Sequence, residues 1–186
     1  AVVLIDGSCI TKNNLDFAAF NIQEHALTSE EYLKEGGDEG SFVYMLGFPM
    51  GLVNVESNVP ICRFGCIARI DQTEISAKKH FLLDIQNFPG NSGSPIISRP
   101  EVVSIQDTPV LGKAALIGIV CGYIPYKESL INAQTQMVVE IRSENSGIAV
   151  ANPVEYIRET VEAEMIRYYG KDYQAQFEKE NEYIKS

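Results

Sequence analysis

With 186 residues, 45% of them hydrophobic and 22% charged, the chain has the composition of a globular protein that can bury a core without disulfide bridges. Its formal net charge of −10 and pI of about 4.7 argue against sequence-independent binding to nucleic acid or to an anionic membrane surface, since both require clustered Lys and Arg. No apolar run approaches the roughly 20 residues that span a bilayer, so no membrane insertion is expected, and no secretory leader pattern opens the sequence.

Short apolar runs bounded by Gly, Pro and Asn recur along the chain: AVVLI at its start, FVYMLGFP from Phe42, ICRFGCIARI from Ile61, HFLLDI from His80 and SPIIS from Ser94. ALIGIVCGYI from Ala115, QMVVEIR from Gln136 and GIAVANP from Gly147 continue the pattern. Strands at such spacing predict an all-β barrel or sandwich. Three stretches read as helical. TSEEYLKEG offers Thr28 or Ser29 as N-cap and a glycine just beyond its end. NPVEYIRETVEAEMIRYYG has Asn152 as N-cap, Pro153 at the first helical position, apolar residues at Val154, Ile157, Val161 and Met165, and Gly170 as its stop. The polar tail from Lys171 is a second helix or a fraying end.

The four cysteines, Cys9, Cys62, Cys66 and Cys121, lack the paired spacings of a zinc site, and neither histidine lies near them in sequence. No metal and no cofactor is expected. Cys62 and Cys66 fall four apart on one strand, about 13 Å from each other, too far for a disulfide. All four cysteines read as small buried hydrophobes.

The segment DIQNFPGNSGSPII, Asp84 to Ile97, sets a serine inside a tight turn between two apolar runs. Gly, Asn, Ser and Pro are the ordinary residues of turns. A serine hydroxyl in such a turn is also a useful nucleophile when backbone N–H groups converge on the oxyanion it creates.

PGNSGSPI resembles the nucleophile loop of trypsin-like serine proteases of the chymotrypsin fold, in particular the disulfide-free branch to which the HtrA-type proteases belong. Further segments agree in order. NLDFAAFNI is similar to the stretch bearing the triad aspartate, VYMLGFPMGL to the linker into the second barrel, LIGIVCGY to the strand lining the substrate cleft, and GIAVANPVEYIRETV to the last strand and C-terminal helix. The resemblance implies two six-stranded antiparallel β-barrels, the first incomplete in this sequence. Residues 1–50 would hold the remainder of the first barrel and the linker, 51–150 the second barrel with the nucleophile loop, and 151–186 a helical tail.

By the same resemblance Ser92 would attack the scissile carbonyl, the backbone N–H groups of Gly90 and Ser92 would form the oxyanion hole, and Asp16 would orient the catalytic imidazole. Relatives usually carry a second glycine where this chain has Ser94. Gln86 would lie at the floor of the substrate pocket, with Cys121, Gly122 and Tyr123 as one wall and Gly147 and Ile148 as another. With no carboxylate at the floor, small or medium apolar or polar side chains are expected there rather than Arg or Lys. The segment from Ile124 to Ser146 is an insertion at the rim.

The base is missing from its place. The family's chain order is His, Asp, Ser, yet no histidine precedes Asp16, and His25 and His80 fall at positions that read as surface or structural. Either the histidine lies upstream of residue 1, giving a serine endopeptidase that acts on peptide or protein substrates, or the chain is an inactive relative that binds peptides by strand addition. A β-barrel interaction module without a cleft is a third reading. The family is mostly secreted or periplasmic, while unpaired cysteines suit the cytoplasm equally.

Overall fold

The computed structural model describes residues 2, 3, 5, 7–14, 18–53, 56, 58–101 and 110–171. They fall into two compact units, one comprising Asn21–Val154 and the other the two chain ends, Ala1–Phe20 with Glu155–Ser186.

The larger unit is a closed antiparallel barrel of six strands. They are β1 (Phe42–Gly47), β2 (Ile61–Arg69), β3 (Phe81–Asp84), β4 (Pro95–Ser98), β5 (Leu116–Ile131) and β6 (Val138–Pro153). Their order around the barrel is β1, β2, β3, β6, β5, β4, with β4 returning to β1 through Val43 opposite Ser98. Closure leaves the barrel section no free edge. Every strand contributes to the buried core: Val43 and Met45 of β1, Ile67 of β2, Leu83 of β3, Ile96 of β4, Ile117 and Val120 of β5, and Ala149 and Ala151 of β6 are all buried. The alanines on β6 leave room for the larger side chains of the other strands.

No second barrel is formed by the described residues. The stretch from Val43, expected as a linker, supplies β1, which pairs with β2 from Phe42 opposite Cys66 to Gly47 opposite Ile61. AVVLI does not form a strand at its described residues; Val3 and Ile5 are exposed, and α1 (Gly7–Lys12) follows them. β-branched residues make a strand only where a partner edge is present to pair with them.

The helix expected after Thr28 is α2 (Ser29–Lys34), closed by a full capping box: Glu31 N–H donates to the Thr28 hydroxyl and Thr28 N–H to Glu31 Oε2. A further helix, not expected from the sequence, is α3 (Gln72–Lys78), which starts at Asp71, whose carboxylate accepts from Glu74 N–H at 2.8 Å. It ends on Lys79 in the left-handed region, without the glycine that usually signals a stop. Tyr32 of α2 and Ile75 of α3 are buried with the core. The C-terminal helix α4 (Val154–Tyr169) begins directly after β6. Asn152, expected as its cap, is instead a strand residue opposite Ile119, and its amide donates to Lys79 O at 2.7 Å.

The cysteines differ from expectation too. All are free thiols, but Cys9, Cys62 and Cys121 are exposed and Cys66 is only half-buried. Cys62 lies at the start of β2, where no residue is buried before Ile67.

The rim segment is a β-hairpin. Beyond the barrel, β5 and β6 pair with each other alone, from Pro125 opposite Asn145 to Ile131 opposite Val138. The Asn132 side chain organises the turn, accepting from the N–H groups of Gln134 and Thr135. Both faces of this arm meet solvent, and Tyr126, Ile131, Val139 and Ile141 are exposed on it.

Candidate functional site

The loop between β3 and β4 is made of two successive turns. Asn91 N–H donates to Phe88 O at 3.1 Å, and Ser94 N–H to Asn91 O at 2.9 Å. Ser92 and Gly93 are the two central residues of the second turn, with Gly93 at φ +87°. Two bonds join the loop's end to β5: Gly93 N–H donates to Val120 O at 2.8 Å and Val120 N–H to Ser94 O at 2.9 Å. On its other side, Pro89 O accepts from Met50 N–H at 2.6 Å in the 3₁₀ turn Pro49–Gly51. Met50 holds φ +57° there, a conformation rare for a side chain of its kind.

Glycine is required at two places around this loop. Gly90 has φ +99°, and a side chain on it would run into the carbonyl oxygen of Phe48. At Gly47 a side chain would meet the hydroxyl of Ser94 and the amide of Asn91. The hydroxyl of Ser94 is therefore accommodated by the bare Cα of Gly47. Asn91 is 0% exposed, and neither atom of its amide has a hydrogen-bond partner among the described residues.

Ser92 is exposed, and its hydroxyl bonds to no described residue. The N–H groups of Gly90 and Ser92 also donate to no described acceptor, whereas those of Asn91, Gly93 and Ser94 all do. An accessible hydroxyl thus sits on a braced loop beside two uncommitted backbone donors. Such donors can stabilise a carboxylate or a developing oxyanion.

The residues expected as pocket walls are joined through one residue. Asn87, 3% exposed, donates from Nδ2 to Gly122 O at 2.8 Å, and its own carbonyl accepts from Asn145 Nδ2 at 2.5 Å. Asn145 Oδ1 in turn accepts from Gly147 N–H at 2.9 Å, and Gly147 O accepts from Ile85 N–H at 3.1 Å. Tyr123 is on β5 opposite Ala149, and Ile148 on β6 opposite Asp84. Gln86, expected at the floor, is exposed, and the buried residue is its neighbour Asn87. Only burial distinguishes the two, and a pair of adjacent amides in a loop carries no periodic signal from which to read it.

Asp16 lies outside the described residues. His25 is exposed, and its Nδ1 accepts from Asn21 N–H at 3.1 Å. His80 precedes β3 and is half-buried. Neither histidine bonds Ser92. Cys121, next to Val120 on β5, donates its thiol to Val150 O at 3.4 Å, and its partial burial holds the thiol above its ordinary pKa. A thiol so held stays protonated near neutrality and does not compete with Ser92 as a nucleophile.

Among the described residues no three His, Cys, Asp or Glu side chains are grouped to hold a metal ion, and no helix is long and apolar enough to cross a membrane. No protein-family model matches the chain, and neither a curated protein nor a solved structure does.

Proposed function

We propose that the chain carries the nucleophile and oxyanion-binding part of a serine endopeptidase with the two-barrel trypsin-like arrangement. Ser92 attacks the scissile carbonyl and its N–H, with that of Gly90, receives the oxyanion. The observation that carries this reading is the exposed Ser92 hydroxyl flanked by two uncommitted N–H groups on a loop braced from both sides. An ordinary connecting turn has no need of a left-handed Gly90 set against Phe48 O, nor of a strained Met50 beside it.

Peptide hydrolysis by this route begins with the Ser92 oxygen bonding to the carbonyl carbon while its proton passes to an imidazole. The carbonyl electrons move to oxygen. Collapse of this intermediate expels the amine with that proton and leaves an acyl-Ser92, which water then hydrolyses. Asp16 is assigned the orientation of the imidazole. Neither His25 nor His80 bonds Ser92, so this reading needs an imidazole that these 186 residues do not supply.

A second reading has its own support. Past the barrel, the outer edge of β5 from Gly122 pairs with no strand among the described residues. An extended peptide can add to such an edge without being cleaved. A fluorophosphonate probe separates the two. In the full-length protein it should modify Ser92 and no other serine, with the label lost in Ser92→Ala. Modification elsewhere, or none, overturns the enzymatic reading, and peptide binding without modification supports the second.

A further inference from the structure

We propose that Asn87 reads the side chain of the residue seated between Gly122 and Gly147, and that it selects a neutral hydrogen-bond donor, a carboxamide or a hydroxyl. The inference rests on the reading of the Ser92 loop as an acyl-binding site and names the substrate class for it. Asn87 bridges the two segments that would flank a bound side chain, Gly122 through its own amide and Asn145–Gly147 through its carbonyl. Both bonds originate five residues before Ser92, in the same loop.

The amide of Asn87 is committed on one side only. Its Nδ2 is taken by Gly122 O, and its Oδ1, buried, has no hydrogen-bond partner among the described residues. Turning the amide over would set oxygen against the Gly122 carbonyl, so the free acceptor stays where it is. A buried acceptor without a donor is unfavourable, and a ligand that brings a donor relieves it. A ligand lacking one leaves the acceptor orphaned and is rejected on that account. An ammonium also donates, but a neutral amide leaves most of its charge uncompensated when both are buried. Neutral donors are therefore favoured over Lys and over Leu.

The test uses acetylated peptides ending in a free carboxylate, which stands in for the oxyanion at Gly90 and Ser92. They are identical except for a last residue of Gln, Leu or Lys, and are titrated calorimetrically. The Gln peptide should bind on the order of tenfold or more tightly than the other two. Asn87→Leu should abolish that preference, and Asn87→Asp, which keeps the volume, should turn it toward Lys, with thermal melts checking that each variant is folded. Equal binding of Gln and Leu peptides overturns the inference, as does a preference unchanged in either folded variant. Ser92→Trp distinguishes the underlying reading: peptides that bind this variant undiminished are bound elsewhere, which overturns the reading of the Ser92 loop whichever peptide is preferred. Binding of no peptide overturns both.

Discussion

The carbonyl oxygen of Phe48 occupies the space that a side chain on Gly90 would need, while Gly90 itself sits at φ +99°. Steric room and backbone conformation thus demand the same residue. Gly90→Ala should cost about 1–3 kcal/mol of stability. It should reduce fluorophosphonate modification of Ser92 more than tenfold even where the protein stays folded, because the N–H at this position is turned away. A variant that melts and reacts like the parent would show that neither constraint operates.

Ser92→Ala should behave in the opposite way. The side chain is exposed and bonds to no described residue, so the melting transition should stay within about 0.5 kcal/mol of the parent while reactivity disappears. A large loss of stability would place Ser92 in the architecture rather than in the chemistry.

The hairpin arm should be dispensable to the barrel. Replacing residues 127–143 by Asn-Gly would close β5 and β6 with a two-residue turn between Tyr126 and Glu144, which face each other, and would keep the Asn145 bond to Asn87. Every residue removed is exposed. The unfolding midpoint should therefore shift by only a few degrees, roughly the effect of 1 kcal/mol. A collapse of the cooperative transition would mean the arm contributes to the core.

Tyr32 should make the fold sensitive to alkali. Burial, opposed in part by the nearby Ser41 hydroxyl, raises its pKa from 10.0 to about 12. The unfolded chain then loses the phenolic proton before the folded one does. Stability is fully present below pH 10.0 and falls as the pH climbs toward about 12, by up to roughly 2–3 kcal/mol. Chemical denaturation across this range should show the decline in the parent and a flatter profile in Tyr32→Phe.

At the acid end Glu74 acts in the reverse sense. Its hydrogen bond to Lys78, with Arg69 close by, holds its carboxyl below the ordinary value of 4.5. That contribution is present above pH 4.5 and is lost as the pH falls through the lower, folded-state value. Glu74→Gln should be less stable than the parent at neutrality, with the difference narrowing below pH 4. A constant difference across the acid range would assign the loss to something other than charge.

Much of the barrel was legible in the order of residues. The apolar runs ICRFGCIAR and PIIS, set off by turn-forming residues, are a local signal, and both became strands. Thr28 with Glu31 specified its helix for the same reason, because a capping box closes within four residues. The Pro-Gly-Asn-Ser-Gly turn was equally visible, as glycine is what a left-handed backbone calls for. By contrast, α3 was missed because its stop is Lys79 in the left-handed region, which no residue type announces.

Only the tertiary structure decided the rest, and in each case the cause is a partner distant in the chain. Val43 to Gly47 is a barrel strand rather than a linker because β2 and β4 flank it, and AVVLI found no such partner among the described residues. Asn87 rather than Gln86 is buried because Gly122 and Asn145, 35 and 58 residues further on, supply the bonds that a buried amide needs. Composition and local sequence determine that this chain forms β-strands and a glycine-bearing serine turn. Which side chains meet around that turn depends on contacts the chain makes only after the barrel has closed.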